Sequence, residues 1–278
     1  MTAPAKPTKL LEGSPPGSPD APEDDVPMTF WEHLEELRKR LVYMIGSFVV
    51  GAGIAWNVRE RILVWLSAPF VTAWNGTKLG GKPELHFPAP QSLFLAYVKL
   101  ALIGGLVFSL PVMLYQVWAF VSPGLYSKEK RYAIPFVVSS CGLFAFGAWF
   151  GWRFAFPVAF QYLLSFSGPI GTAISVQPSV MIDEYIGFVS QMLLAFGAVF
   201  ELPVLVFFLS VAGIVTHHHL IKFTRMFIVI AFVVAAIITP PDPLSQLILA
   251  VPLCLLYVLS IGVAYVFGRR DAPLISDD

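Results

Sequence analysis

The sequence predicts an all-α integral membrane protein with six transmembrane helices, and three observations carry that prediction. Of 278 residues, 56% are hydrophobic and 13% are charged, about half of the ~25% charge typical of a soluble domain. The mean hydropathy is +0.72. The apolar residues also gather into six stretches, near 40–57, 93–121, 133–164, 185–212, 225–239 and 244–267. A helix needs about 20 such residues to cross a ~30 Å hydrocarbon core. The same composition excludes a soluble enzyme and a disulfide-stapled secreted domain. The 18 basic residues balance 18 acidic ones, so there is no electrostatic footprint for nucleic acid.

Residues 1–27 hold seven prolines and five acids. Such a segment buries too little apolar surface to offset its ordering entropy, so a disordered cytoplasmic tail is expected. No apolar run follows its lysines, which argues against a secretory signal peptide. The membrane domain spans 28–268, and 269–278 forms a second cytoplasmic tail. The first span has an apolar core at 41–56, preceded by an amphipathic turn. The second, third, fourth and sixth stretches are long enough to cross. The fifth is short: the thirteen residues 226–238 give ~20 Å of helix, which implies local thinning of the bilayer. Pro240 and Pro241 end it, and Asp242-Pro243 is an N-cap and N1 pair that starts the sixth.

The segments 58–92 and 165–184 are rich in proline and glycine and read as caps or short helices with no separate domain. Twelve Lys and Arg residues flank one side of the spans and four flank the other. By the positive-inside rule, both termini are cytoplasmic. No internal repeat of the kind that builds many secondary transporters is visible. Cys141 and Cys254 lie far apart in apolar runs and read as small buried hydrophobes.

The segment from Thr29 to Leu41 is the most informative. Phe30, Leu34, Leu37 and Leu41 make one apolar helical stripe. Thr29 and Glu32 have capping-box spacing, and Glu35 and Lys39 form an i,i+4 pair. The plainer reading is an interfacial lead-in helix; the functional reading makes Glu36, which the cap does not need, a free carboxylate at the cytoplasmic face. Glu129 lies on the same face in the 122–132 connection. There Ser127 is a possible N-cap, and favourable interaction with the helix dipole is the plainer role of Glu129. Two surface carboxylates can each grip a guanidinium through paired hydrogen bonds, a fork that lysine does not reproduce.

Glu201 sits inside the fourth span, where a carboxylate costs ~2.5–3.5 kcal/mol at the bilayer centre and marks a functional candidate. Pro203 frees a backbone carbonyl near Val199 and allows a polar kink, so the plainer reading is an acid bonded to that carbonyl or to water. Gln116 and Gln246 are further polar candidates whose plainer role is interhelical hydrogen bonding. Lys99 and Arg153 read as snorkelling side chains near span ends. His217, His218 and His219 are adjacent and would splay around a helix, so they make a weak metal motif. No metal site or cofactor is assigned. No phosphate-binding loop, zinc-protease motif or nucleophile elbow is present, and catalysis is not expected.

Four separated motifs resemble one family. His33-Leu34-Glu35-Glu36-Leu37-Arg38-Lys39-Arg40-Leu41 is similar to the N-terminal signature of TatC, the large subunit of the twin-arginine protein translocase. Residues 115–120 with Pro123-Gly124-Leu125-Tyr126, Glu129 and Arg131 resemble its first cytoplasmic loop. Phe196-Gly197, Phe200-Glu201 and Pro203 resemble its fourth span, and Thr239-Pro240-Pro241-Asp242 with Ser245-Gln246 its last outer turn. The similarity covers 28–268 and leaves the proline-rich tail outside.

The resemblance implies a concave, glove-like helical wall in the bacterial cytoplasmic (inner) membrane. It implies a receptor that binds twin-arginine signal peptides of folded cargo, with export driven by the proton-motive force. Partners would be TatA- and TatB-type single-span subunits, and copies of the chain would associate in the receptor complex. Glu36, Glu129, Arg38 and Arg131 match the signal-peptide site. Glu201, with Gln116, matches an intramembrane polar site, and Gln246, Asp242 and Glu201 match the partner-contact region. Two competing readings are a proton-coupled small-solute transporter using Glu201 and a structural subunit with no ligand site.

Overall fold

The computed structural model describes residues 30–77, 79, 81–121, 133–170, 174–211, 213–239 and 242–268. The expectations placed on 1–27, the Thr29–Glu32 capping box, Ser127, Glu129, Arg131, Pro240, Pro241 and 269–278 lie outside what it describes.

The lead-in turn and the first span form one helix, α1 (Phe30–Asn57). It is followed across Val58 by α2 (Arg59–Asn75), whose axis is bent 77° from it. At 17 residues, α2 is longer than the caps or short helices expected between 58 and 92. Pro69 inside α2 has no N–H for the carbonyl of Trp65, one turn back. The Trp152 indole supplies that donor, 3.0 Å from the Trp65 oxygen, and the two indole rings stack at 5.0 Å. A tertiary contact thus completes a helix that local sequence leaves unsatisfied.

Helix α3 (Pro90–Val121) returns along α1. Helix α4 (Ala133–Phe150) runs through a π-helical turn (Gly151–Ala155) into α5 (Phe156–Leu164). A small hairpin of β2 (Gly168–Ile170) and β3 (Ile174–Val176) follows. Two-residue strands β1 (Leu85–His86) and β4 (Val180–Met181) pair in parallel and tie the two long connections together. Then come α6 (Ile182–Phe200), α7 (Leu202–Val211), α8 (His217–Ile238) and α9 (Pro243–Phe267). Counting α1 with α2, α4 with α5 and α6 with α7, six units are long and apolar enough to cross a membrane.

The fifth of them differs from expectation. Helix α8 has 22 residues, or ~33 Å at ~1.5 Å per residue, and α9 has 25. Neither helix is short, yet the turns that lengthen α8 are polar, so the apolar run of residues 226–238 from which thinning was inferred is unchanged. Hydropathy missed the first turns of α8 because they are polar: Thr216 caps the helix by accepting from the His219 N–H, and the histidines and Lys222 follow.

The centre of the packing is α6. Ile186, Val189, Met192 and Phe196 are fully buried, as are Leu100 of α3, Phe156 of α5 and Leu249 of α9. Without a hydrophobic drive between helices in lipid, small residues that permit close approach do the packing. At the α1–α3 crossing, a Cβ added to Gly51 would stand 2.6 Å from the Gly105 carbonyl oxygen, and one added to Gly105 would stand 2.6 Å from the Ala52 nitrogen. Only glycine fits at either place. This contact aligns the start of α1 with the end of α3, where the His33 ring stacks on Phe120 at 4.4 Å.

Candidate functional site

Glu36 lies on α1 at the end of the bundle reached by the termini of α3, α7 and α9. Aromatic contacts hold that end together, with Trp118 against Phe208 at 4.7 Å and Phe207 against Phe267 at 5.3 Å. The expected Glu35–Lys39 pair is replaced among the described residues by Glu36–Arg40, which has the same i,i+4 spacing. Arg40 Nε donates to Glu36 Oε1 at 3.0 Å, and Nη2 donates to the same oxygen. The third guanidinium nitrogen, Nη1, donates to Gln116 Oε1 of α3 at 3.4 Å. Glu36 Oε2 is buried and has no hydrogen-bond partner among the described residues. An open cavity of about 400 Å³ sits against this group, lined by Glu35, Glu36, Lys39, Arg40, Tyr43 and Gln116.

Arg38 is exposed. Two residues from Glu36 on a helix, it faces the other side of α1 and does not line the cavity. The guanidinium in the pocket is that of Arg40, whose Glu-to-Arg i,i+4 spacing is the signal in the sequence that would have found it. Glu129 and Arg131 lie outside the described residues.

Glu201 occupies the break between α6 and α7. Pro203 cannot donate to the Val199 carbonyl, and the chain turns there, with the Glu201 N–H bonded to the Ala198 oxygen at 3.1 Å and its own carbonyl accepting from Leu205 at 2.9 Å. The carboxyl lies beside Ser140, Cys141 and Phe144 of α4. The Ser140 hydroxyl and the Phe144 backbone are the polar groups that face it, and its Oε1 and the Ser140 hydroxyl are both buried. Gln116 belongs to the Arg40 group, so the two members expected of one intramembrane polar site occupy two different settings. Beside Cys141 and Phe144 lies an apolar groove of about 390 Å³ that also involves Val107, Pro111 and Trp149. A second groove of about 330 Å³ shares Trp65, Val107 and Leu193 with it and reaches Arg61.

Asp242 caps α9 by accepting from the Ser245 N–H at 2.8 Å, with Pro243 at N1. Its Oδ2 is buried without a partner. Gln246 Nε2 donates to the Phe232 carbonyl at 3.0 Å and ties α9 to α8. On α8, Met226, Val229, Val233 and Ile237 form an exposed apolar stripe. Lys99 donates to the Asp183 carbonyl at the start of α6, at 3.5 Å. The Arg153 guanidinium lies over the Phe154 ring at 5.9 Å. His217 and His218 sit with ring centroids 4.0 Å apart, and both cysteines are free thiols.

A family model described as Sec-independent protein translocase protein (TatC) matches residues 32–252. The chain belongs to the TatC family. A Sec-independent protein translocase protein TatC of Desulforapulum autotrophicum is 42% identical over 241 residues, 87% of this chain and 86% of that one. The TatC protein of Koribacter versatilis is 39% identical over 245 residues, 88% of each chain. A crystal structure described as the twin arginine translocase receptor TatC superposes with a TM-score of 0.74 at 38% identity, covering 86% of this chain and all of that one. The all-α, multi-pass membrane fold and membership of a protein translocase family are thereby established, and the matched residues include α1, α3 and the Glu201 break.

Proposed function

We propose that this chain is the receptor subunit of a twin-arginine translocase, with the Glu36 pocket receiving an arginine of the signal peptide. The observation that supports this reading best is the half-used carboxylate of Glu36. One oxygen is held by Arg40, and the other is buried, unpartnered and adjacent to an open cavity of about 400 Å³. A buried acceptor without a donor costs about 1–3 kcal/mol, more when charged, and an incoming guanidinium removes that cost. Glu129, in the connection that follows α3 in sequence, is taken as the second carboxylate.

The apolar part of the signal then lies along the grooves between α2, α3, α4 and α6, toward Glu201. TatA- and TatB-type single-span helices dock on the exposed stripe of α8 near Gln246 and Asp242, and on the polar break at Glu201. Folded cargo crosses at the expense of the proton-motive force. The protein sits in the bacterial cytoplasmic membrane with both termini inside, an orientation that the Lys and Arg distribution supports, and its copies associate in the receptor complex.

The test is binding of a twin-arginine signal peptide to the full chain in lipid nanodiscs. It is compared with a twin-lysine peptide and with Glu36→Ala and Glu129→Ala. Loss of a charge-assisted fork is worth about 1.5–3 kcal/mol, so either variant should bind roughly ten-fold or more weakly. Equal binding of both peptides to all variants removes these glutamates from recognition.

A further inference from the structure

Glu36 already carries a guanidinium. Arg40 approaches its carboxylate as an external arginine would, through two nitrogens, yet both converge on Oε1 and leave Oε2 unused. The remaining nitrogen, Nη1, is anchored on Gln116 of α3 at 3.4 Å. Arg40 therefore bridges α1 and α3 beside the cavity that it and Gln116 line, and both side chains of the ion pair are about one-fifth exposed, 20% each. A ligand arginine can reach the free Oε2 directly, but a fork onto both oxygens also needs a lone pair of Oε1, and both of those are taken by Arg40 Nε and Nη2, so Arg40 must release at least one of its bonds.

We propose that Arg40 is an internal occupant of the arginine-binding carboxylate, and that Gln116 holds the guanidinium when a ligand displaces it. This rests on the receptor reading above. It adds a regulated resting state: the site is closed by a group chemically identical to the ligand it receives. Exchange replaces one guanidinium by another at Oε1, so the net gain at Glu36 comes from Oε2, which only the ligand engages. An i,i+4 ion pair near a protein surface is worth about 0.3–1 kcal/mol. A competitor of that strength weakens apparent binding of a forking ligand by roughly three- to six-fold. A lysine ammonium reaches Oε2 as a point charge without needing Oε1, so the competitor weighs on arginine ligands more than on lysine ligands.

The experiment uses the full chain in nanodiscs and two readouts. The first is carbodiimide labelling of Glu36 without any peptide, in the native protein and in Arg40→Ala, Arg40→Lys and Gln116→Leu. Labelling should rise several-fold in Arg40→Ala and less in the other two. The second is peptide affinity at physiological and at high salt. Arg40→Ala should bind the twin-arginine peptide roughly three- to six-fold more tightly and the twin-lysine peptide by a smaller factor, and Arg40→Lys, which keeps the charge without the fork, should show part of the gain. Unchanged labelling overturns the inference outright. So does weaker peptide binding in Arg40→Ala, which would make Arg40 a residue that positions Glu36. A gain absent from Arg40→Lys and abolished by salt would reduce it to relief of long-range charge repulsion and also overturn it. If labelling rises while no variant, and not the native chain, binds the peptide, the receptor reading itself fails.

Discussion

Gly105→Ala adds one methyl group where the structure has no room for it. The new Cβ would stand 2.6 Å from the Ala52 nitrogen, 2.7 Å from its Cα and 2.8 Å from its Cβ. Ordinary carbon contacts lie at about 3.5–4.0 Å, so α1 and α3 must separate by about 1 Å at their crossing. The obstacles are backbone atoms, so no side-chain rotation relieves them. Overpacking of this kind costs about 1–3 kcal/mol, which is roughly a 5- to 150-fold change in the unfolding equilibrium. The separation also propagates to Gln116, eleven residues and ~16 Å further along α3, and loosens its bond to Arg40. Reversible unfolding in mixed micelles measures the first effect, and carbodiimide labelling of Glu36 measures the second. Gly46→Ala and Gly53→Ala on the same α1 are the controls. Nothing lies within 4 Å of either added Cβ, and both should stay within about 0.5 kcal/mol of the parent, as surface substitutions do. Native stability in Gly105→Ala, or equal damage in Gly53→Ala, would refute the close-crossing argument.

Other outcomes follow from the same geometry. The Ser140 hydroxyl is fully buried facing the Glu201 carboxyl, so Ser140→Ala strips that acid of its side-chain polar neighbour and should lower the unfolding free energy by about 1–3 kcal/mol; an unchanged unfolding free energy would show that the two groups do not interact. Asp242→Ala should cost about 1 kcal/mol through loss of the cap on the Ser245 N–H, and Asp242→Asn should recover most of it, both read as shifts in the unfolding midpoint. Trp152→Phe should cost about 1–3 kcal/mol, because the Trp65 carbonyl freed by Pro69 loses the indole donor; pairing it with Pro69→Ala, which restores a local donor, should recover part of the loss.

The spans themselves were legible because burial in lipid demands long apolar runs, and nothing else in a chain of this composition produces them. The start of α9 was legible for a local reason: Asp242 and Pro243 are a cap and a first-turn residue whatever packs around them. The break at Glu201 was legible because Pro203 lacks a donor. The bounds of α8 were not, since its first turns are polar and hydropathy does not register a helix of histidine and lysine. The length of α2 was hidden in the same way, because Pro69 reads as a breaker until Trp152 is seen to satisfy Trp65.

The sequence alone thus determined which segments cross, where proline and aspartate punctuate them, and which acids are candidates, because those properties depend on composition and on neighbours within one helical turn. Tertiary structure decided which groups meet. Arg38 and Arg40 are indistinguishable as basic flanking residues, but a helix turns by about 100° per residue, from 3.6 residues per turn, and only Arg40 shares a face with Glu36. Gln116 joins them because Gly51 and Gly105 let α1 and α3 approach closely enough. Whether Glu36 stands free or already holds a guanidinium is a fact about distance between helices, and distance between helices is set by packing.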